Sequence, residues 1–375
     1  MRTALRLALA LVFLVHAVIH LLGIGRSDAY LWVTAAGLVL AVAALLLARV
    51  RWWWAVAGAA AIVSQVAIVL SWSEAWAGTF ANVALLLAAA YGYGAEGPHS
   101  LRAQFRRRAA EAVAGLQPPD GDVTEADLAD LPGPLAAYLR RSGVIGRPRV
   151  GGLEARLHGR ARATAAERWV PFTADLVESF GTPATRLFLL ETTRHGAPVD
   201  VLHTFGEHVR MSGRVGGLLT AFDDAGPDLD RTEAVTLFND MCLLAPGALL
   251  DAPVSWQQVD PRRVRGTFRH ADQEVVADLV FDLDGDLVDF ESDARMRMAP
   301  DAGSFMPTRW STPVQQHATF GGRRLACRTD AVWHASAPEG RFAHLELVLD
   351  ELAYDGQEPL EHEERAHRRT KEPAR

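Results

Sequence analysis

Four stretches of this 375-residue chain, 7–25, 29–48, 52–73 and 75–95, contain no Asp, Glu, Lys or Arg. Each approaches the roughly 20 residues that a helix needs to cross a bilayer. Inside hydrocarbon the backbone must satisfy its own donors and acceptors, so such runs are read as helices. Leu, Ala and Val dominate them. Tyr30, Trp32, Trp52, Trp53, Trp54, Trp72 and Trp76 sit near their ends, where amphipathic rings meet the headgroups. The first stretch could be taken for a cleaved leader. It lacks a small-x-small cleavage site and three more stretches follow, which favours a retained helix. The expectation is a transmembrane four-helix domain over residues 1–97.

The arginines orient it. Arg2 and Arg6 precede the first stretch, Arg49 and Arg51 separate the second from the third, and Arg102, Arg106, Arg107 and Arg108 follow the fourth. The alternate loops hold only Arg26 with Asp28, and Glu74. Positive charge stays inside, so the sequence predicts a multi-pass cell-membrane protein with its soluble part in the cytoplasm. The chain has only two cysteines, Cys242 and Cys327, too few for a disulfide framework in so large a domain. The net charge of −7 is concentrated after residue 100. That excludes general nucleic-acid binding, which needs a basic footprint, and leaves the lipid bilayer as the expected partner.

Residues 98–121 read as a basic connector, helical until Pro118 and Pro119. Residues 122–356 read as a soluble antiparallel β domain, and 357–375 as a charged tail. Pro134 opens a short helix through Leu135, Tyr138 and Leu139 that Gly143 ends. A central helix is predicted over 232–245. Asp230 and Glu233 are spaced like a capping box. Val235, Phe238, Met241, Cys242 and Ala245 recur at helical steps, Leu237 and Leu244 widen the stripe, and Pro246-Gly247 stops it. Asn239 and Asp240 are its polar interior pair.

Around that helix the pattern has period two from Val150 onward. Strands are predicted over 168–178, 185–193, 198–205, 207–214, 254–260, 263–270, 274–282, 287–293, 313–320, 326–335 and 342–353. Asp284-Gly285 marks a hairpin. The fold class is α+β: an N-terminal four-helix transmembrane block, then a large curved antiparallel sheet, half-barrel-like, packed on helices.

LPGPLAAYLRRSG at 131–143, TLFNDMCLLAPGALL at 236–250, RWSTPV at 309–314 and GGRRLACRTDAVWH at 321–334 resemble a bacterial family known only as a domain of unknown function. The resemblance spans roughly 125–355. It implies a curved antiparallel sheet over helices, similar to half-barrel lipoprotein-carrier and lipid-binding folds. It brings no catalytic residues, and a fold does not fix a function.

His16 and His20 lie four apart in the first stretch and share one helix face. They read either as ligands to a metal or haem, or a proton relay, or as polar glue bonded to Ser64, Gln65 or Asn82; the second is favoured. Asp240 with Asn239 reads as a general base or ligand anchor if a cavity faces it, and otherwise as a satisfied core pair. Asp282, Asp284 and Asp286 alternate as in a calcium loop but lack its order and terminal glutamate, so a hairpin turn explains them. Arg156, His158, Arg160 and Arg162 form a basic strand face, expected to pair with an acidic strand around Asp289 and Glu291. His195, His203 and His208 lack metal-site spacing. No nucleotide loop, nucleophile elbow or zinc signature occurs.

The leading expectation is a membrane-anchored module that binds a lipid or other hydrophobic small molecule, with Phe238, Asn239, Asp240, Met241, Trp310 and Trp333 lining the site. A membrane polar site would comprise His16, His20, Gln65 and Asn82. No cofactor or metal is assigned. The rivals are a membrane oxidoreductase using the histidine pair, a hydrolase using Asp240, and a structural or signalling partner with a filled core.

Overall fold

The chain folds, in a computed structural model describing residues 2–23, 28–298 and 304–360, into two compact units. The first comprises residues 1–104 with 195–200 and 213–221; the second holds the remainder.

In the first unit the helices are α1 (Arg2–His20), α2 (Ala29–Leu47), α3 (Trp53–Leu70), the single turn α4 (Trp72–Ala75) and α5 (Gly78–Glu96). They pack through small residues: Ala10, Ala17, Ala35, Ala43, Ala57, Ala60 and Ala88 are buried, with Phe13, Val39 and Leu85 between them. Small side chains let helix backbones approach closely. Among the described residues, only α2 and α3 are long and apolar enough to cross a membrane. This corrects the expectation of four equivalent spans. The apolar part of α1, Arg6–His20, is too short, because the chain tightens into a 3₁₀ turn at Leu21–Gly23. α5 carries Asn82, then Tyr91, Gly92, Tyr93 and Gly94 near its end, and Glu96. Residues 24–27, which include the end of the first apolar stretch, lie outside the described residues.

The helix α6 (Leu101–Ala114) follows, then α7 (Gly133–Arg141). α7 starts on Pro134 and ends where Gly143 turns to φ +73°, a conformation that glycine adopts without a Cβ penalty. The strands are β1 (Gly152–Ala161), β2 (Val170–Ser179), β3 (Thr185–Arg194), β4 (Ala197–Phe205), β5 (Val209–Val215) and β6 (Leu219–Ala225). The helix α8 (Pro227–Leu244) comes next. Then come β7 (Val254–Asp260), β8 (Arg263–His270), β9 (Gln273–Phe281), β10 (Leu287–Ser292), β11 (Met296–Met298) and β12 (Phe305–Pro307). The last are β13 (Trp310–Ser311), β14 (Val314–Phe320), β15 (Arg323–His334) and β16 (Arg341–Tyr354).

Fourteen strands form one curled antiparallel half-barrel sheet, in the order β6-β5-β4-β3-β2-β1-β16-β15-β13-β10-β9-β8-β7, with β14 also on β15. The chain closes it late: β16 pairs along β1, Leu153 opposite Tyr354 through Ala161 opposite Leu345. A Cβ at Gly159 would collide with the Glu346 carbonyl, so this central pairing needs glycine there. β6 and β7 are the two ends of the order, and α8 connects them. Fourteen of its residues are buried, including Val235, Leu237, Phe238, Met241 and Cys242. β6 escaped sequence reading because LTAFDDA lacks a clean alternation, as an exposed end strand can. The expected tail lies, from residue 361, outside the described residues.

The helix start differs from the expected capping box. α8 begins at Pro227 behind Gly226, so Asp230 and Glu233 stand inside the first two turns. Asp230 accepts from the Val209 amide at 2.6 Å and faces His208 Nδ1 at 3.1 Å. The basic face of β1 also meets different partners. Arg160 is bidentate on Glu346 at 2.6 and 2.7 Å, His158 meets Asp350 at 2.7 Å, and Arg156 meets Glu351 at 3.1 Å. The acidic strand is β16, not β10, because the C-terminal strand returns to lie beside β1. Asp282-Gly285 is the expected hairpin: Asp282 Oδ1 accepts from the Asp284 and Asp286 amides at 3.0 and 2.9 Å. Asp286 is clamped by Arg141 at 2.7 Å and Arg324 at 2.9 Å.

Candidate functional site: a polar-based cavity under the sheet

A cavity of about 110 Å³ lies in the second unit between α8 and the concave face of the sheet. Leu157 of β1, Leu176 of β2 and Leu345, Leu347 and Leu349 of β16 form an aliphatic wall. The alternation of β16 puts its three leucines on one face while Glu346 and Asp350 face outward. Against this wall stand Glu233, Thr236, Asn239, Asp240, Leu243 and Leu244 of α8. Arg186 and Phe188 of β3, His203 of β4, Arg295, Trp310, Thr312, Cys327 and Thr329 complete the lining.

The polar groups are organised around Arg186, which is almost inaccessible. Its Nε donates to Asp240 at 2.9 Å and its Nη1 to Glu233 at 3.0 Å, while Glu178 Oε1 lies 3.2 Å from Nε. Glu233 also meets His203 Nδ1 at 3.1 Å. Burial alone would raise the Glu233 carboxyl, but the Arg186 charge, then His203, overcome this and hold it down to about 2. Glu178 goes the other way. Full burial, then the neighbouring Asp240 charge, push its carboxyl well above the ordinary range, so it sits there as a neutral acid. Of the acidic side chains around this guanidinium, Glu233 is thus held as a carboxylate and Glu178 as a protonated acid. Asp240 is engaged twice, by Arg186 and by the Asn239 amide at 3.2 Å, and is not poised as a free base.

Arg295 feels the charges of this cluster but is not hydrogen-bonded to it. Its guanidinium stacks over Trp310 at 4.1 Å and Trp333 at 5.6 Å. Trp310 in turn donates to His344 Nε2 at 3.1 Å. Burial, then the Arg295 and Arg297 charges, push His344 well below its usual range, in accord with its acceptor role. Burial draws the Arg295 guanidinium down to about 10. Its Nε and Nη1 atoms are inaccessible and bond to nothing among the described residues.

Of the residues singled out by sequence, Asn239, Asp240 and Trp310 line this cavity together. Met241 instead lines a separate recess of about 430 Å³ with Phe180, Pro183, Phe268 and His270. Phe238 is fully buried among Phe268, Phe290 and Trp256. Trp333 lies opposite Trp310 in the β13–β15 pairing and stacks on His344. Arg186, Glu178, Glu233, His203, Arg295 and Thr312 were not read as site residues. Arg186 and Glu178 did leave a trace: each is charged yet in phase with an apolar inward residue, Phe188 and Leu176. Arg295, between β10 and β11, left none.

The polar residues of the first unit's helices do come together. His16 Nε2 lies 3.2 Å from Asn82 Oδ1, and Ser64 donates to that same oxygen at 2.7 Å. His20 Nε2 meets Ser64 Oγ at 2.8 Å. The Asn82 amide donates to Gln65 at 2.9 Å, and Gln65 to Thr79 at 3.2 Å. Both Nε2 atoms are therefore used in interhelical bonds, as polar glue would require. No group of three metal-ligating side chains occurs among the described residues.

Residues 121–347 match the sequence profile of a family of unknown function, DUF6544. The chain belongs to that family. The DUF6544 region contains all the lining residues of the cavity except Leu349. None of the curated proteins compared with it matches. A solved structure described as an outer membrane lipoprotein-sorting protein domain from Vibrio parahaemolyticus is similar at 9% identity and a TM-score of 0.33. It covers 56% of this chain and 87% of that one.

Proposed function

We propose that this DUF6544 protein is a membrane-anchored module that binds a hydrophobic small molecule between α8 and the curled sheet. The observation that carries the reading is the cavity itself. Its leucine wall faces a polar floor, and the void lies beside a close-packed core. A filled core would have served a purely structural partner better. Ligand binding is checked by native mass spectrometry of the full-length protein in detergent, followed by Leu347→Trp, which fills the void from the sheet side. A co-purifying apolar molecule lost in that variant supports the reading. A wild-type protein that carries none, and takes up none at micromolar concentrations, overturns it.

The anchor is proposed to run through α2 and α3. α2 and α3 suffice by length and composition. α1 and α5 also turn large apolar side chains outward: Leu7, Leu11, Val15 and Val18 on one, Phe80, Val83 and Leu87 on the other. Exposed at four- and three-residue steps, these suit lipid contact rather than water. With the arginine distribution this supports a multi-pass protein whose β domain is cytoplasmic. Reporter fusions after Gly97 and at the C-terminus are expected to register as cytoplasmic. A periplasmic signal from either would sink the topology.

A further inference from the structure

We infer that the molecule taken by this cavity is an anionic amphiphile, a carboxylate or phosphate head on an aliphatic chain, with Arg295 receiving the head. The inference rests on the ligand-site reading above and deepens it by naming the substrate class. Of the two guanidinium groups in the wall, Arg186 is engaged by Asp240 and Glu233. Arg295 has inaccessible Nε and Nη1 atoms with no acceptor among the described residues. Its near neighbour Arg297 is paired with Glu339 at 2.8 Å, so the empty donors belong to Arg295 itself. Trp310 and Trp333 both lie against the guanidinium, at 4.1 and 5.6 Å, which restrains its orientation.

A buried cation with unused donors is costly. An acid group entering the cavity would supply the missing acceptors. Glu233 and Asp240 act on the Arg295 charge through space, but no acidic side chain of the wall accepts from its Nε or Nη1. Glu233 and Asp240 are engaged by Arg186, and Glu178 behind them is neutral. Two more unpaired atoms line the same space. Thr312 Oγ1 offers a further donor, and Asn239 Oδ1 an acceptor that suits the hydroxyl of a hydrogen phosphate. Leu157, Leu176, Leu345, Leu347 and Leu349 then face the chain. Head and tail requirements meet in one cavity.

The test is equilibrium dialysis of radiolabelled octanoate against the full-length protein in maltoside micelles, with empty micelles subtracted. Octyl phosphate and octanol serve as competitors of equal chain length. Octanoate and octyl phosphate are expected to compete, and octanol to be about tenfold or more weaker, the size of one lost hydrogen bond to a charged group. The tighter of the two anions identifies the head. Arg295→Gln should abolish the preference over octanol, and Arg295→Lys should keep much of it. If octanol competes as well as the anions, the anionic head is refuted while the hydrophobic-ligand reading stands. If none binds, the ligand reading itself fails. If Arg295→Gln binds anions like the wild type, Arg295 is not the receptor. Should that variant not fold, the ligand series and Arg295→Lys still decide: a folded lysine variant that keeps the anion preference supports the inference, and an absent preference in the wild type overturns it.

Discussion

Replacing Arg186 by methionine is expected to destabilise the β domain by about 3–5 kcal/mol at neutral pH, because it leaves buried carboxylates without their cation. Glu233, Asp240 and Glu178 all lie within 3.2 Å of this one guanidinium. Its side chain and those of Glu178 and Glu233 are nearly inaccessible, so solvent cannot take over the role of the lost charge. The deficit should depend on pH. In the native protein the Glu233 carboxyl is held at about 2, below its ordinary 4.5. Its ionised form therefore contributes stability above the ordinary value, and that contribution is lost as pH falls from 4.5 toward 2. Without Arg186 the sign reverses. Burial then raises the carboxyl, and protonation on the way down from pH 7 relieves the variant. The gap between wild type and variant should narrow between pH 7 and about 4. Thermal unfolding of the full-length protein in mild detergent, followed by near-ultraviolet circular dichroism, measures it. A deficit that stays constant with pH would refute this account of the cluster.

The same arrangement explains which parts of the fold could be read from sequence. The strands from β1 to β5 and from β7 to β10 carry alternation strong enough to be placed, and Asp284-Gly285 announces its turn. The position of β16 beside β1 could not be read, since nothing local says that the last strand closes onto the first. The acidic partner of Arg156 and Arg160 was therefore sought on β10. Glu233 looked like a helix cap because its spacing from Asp230 is that of a capping box. Tertiary demand decided otherwise: Arg186, brought from β3, needs that carboxylate inside the helix. Asn239 and Asp240 were legible as site residues because polar groups in an apolar stripe need a reason. Arg295 was not, because it lies in an irregular segment where a charged residue is unremarkable. Its character appears only once Trp310 and Trp333 are stacked beneath it.

The apolar side of α8 yields the second large effect. Phe238→Ala is expected to cost about 3–5 kcal/mol, the range for removing a fully buried phenylalanine ring. The ring is inaccessible, stacked 5.3 Å from Phe268 and set edge-on 5.4 Å from Phe290, with Trp256 at 5.9 Å. Gly266 of β8 leaves room for it: a Cβ there would stand 2.7 Å from both Phe238 and Trp256. Collapse around the truncated residue is hindered because three of its neighbours sit on hydrogen-bonded strands, so most of the void would remain. Phe238 does not line the ligand cavity, so this loss should appear in stability before it appears in binding at low temperature. Arg269→Ala, which removes an exposed pair between Arg269 of β8 and Glu274 of β9, should change the unfolding midpoint little by comparison. Unfolding of both variants beside the wild type, in the same detergent, compares them directly. A Phe238→Ala loss as small as that of Arg269→Ala would mean that α8 is not the element on which the sheet is assembled.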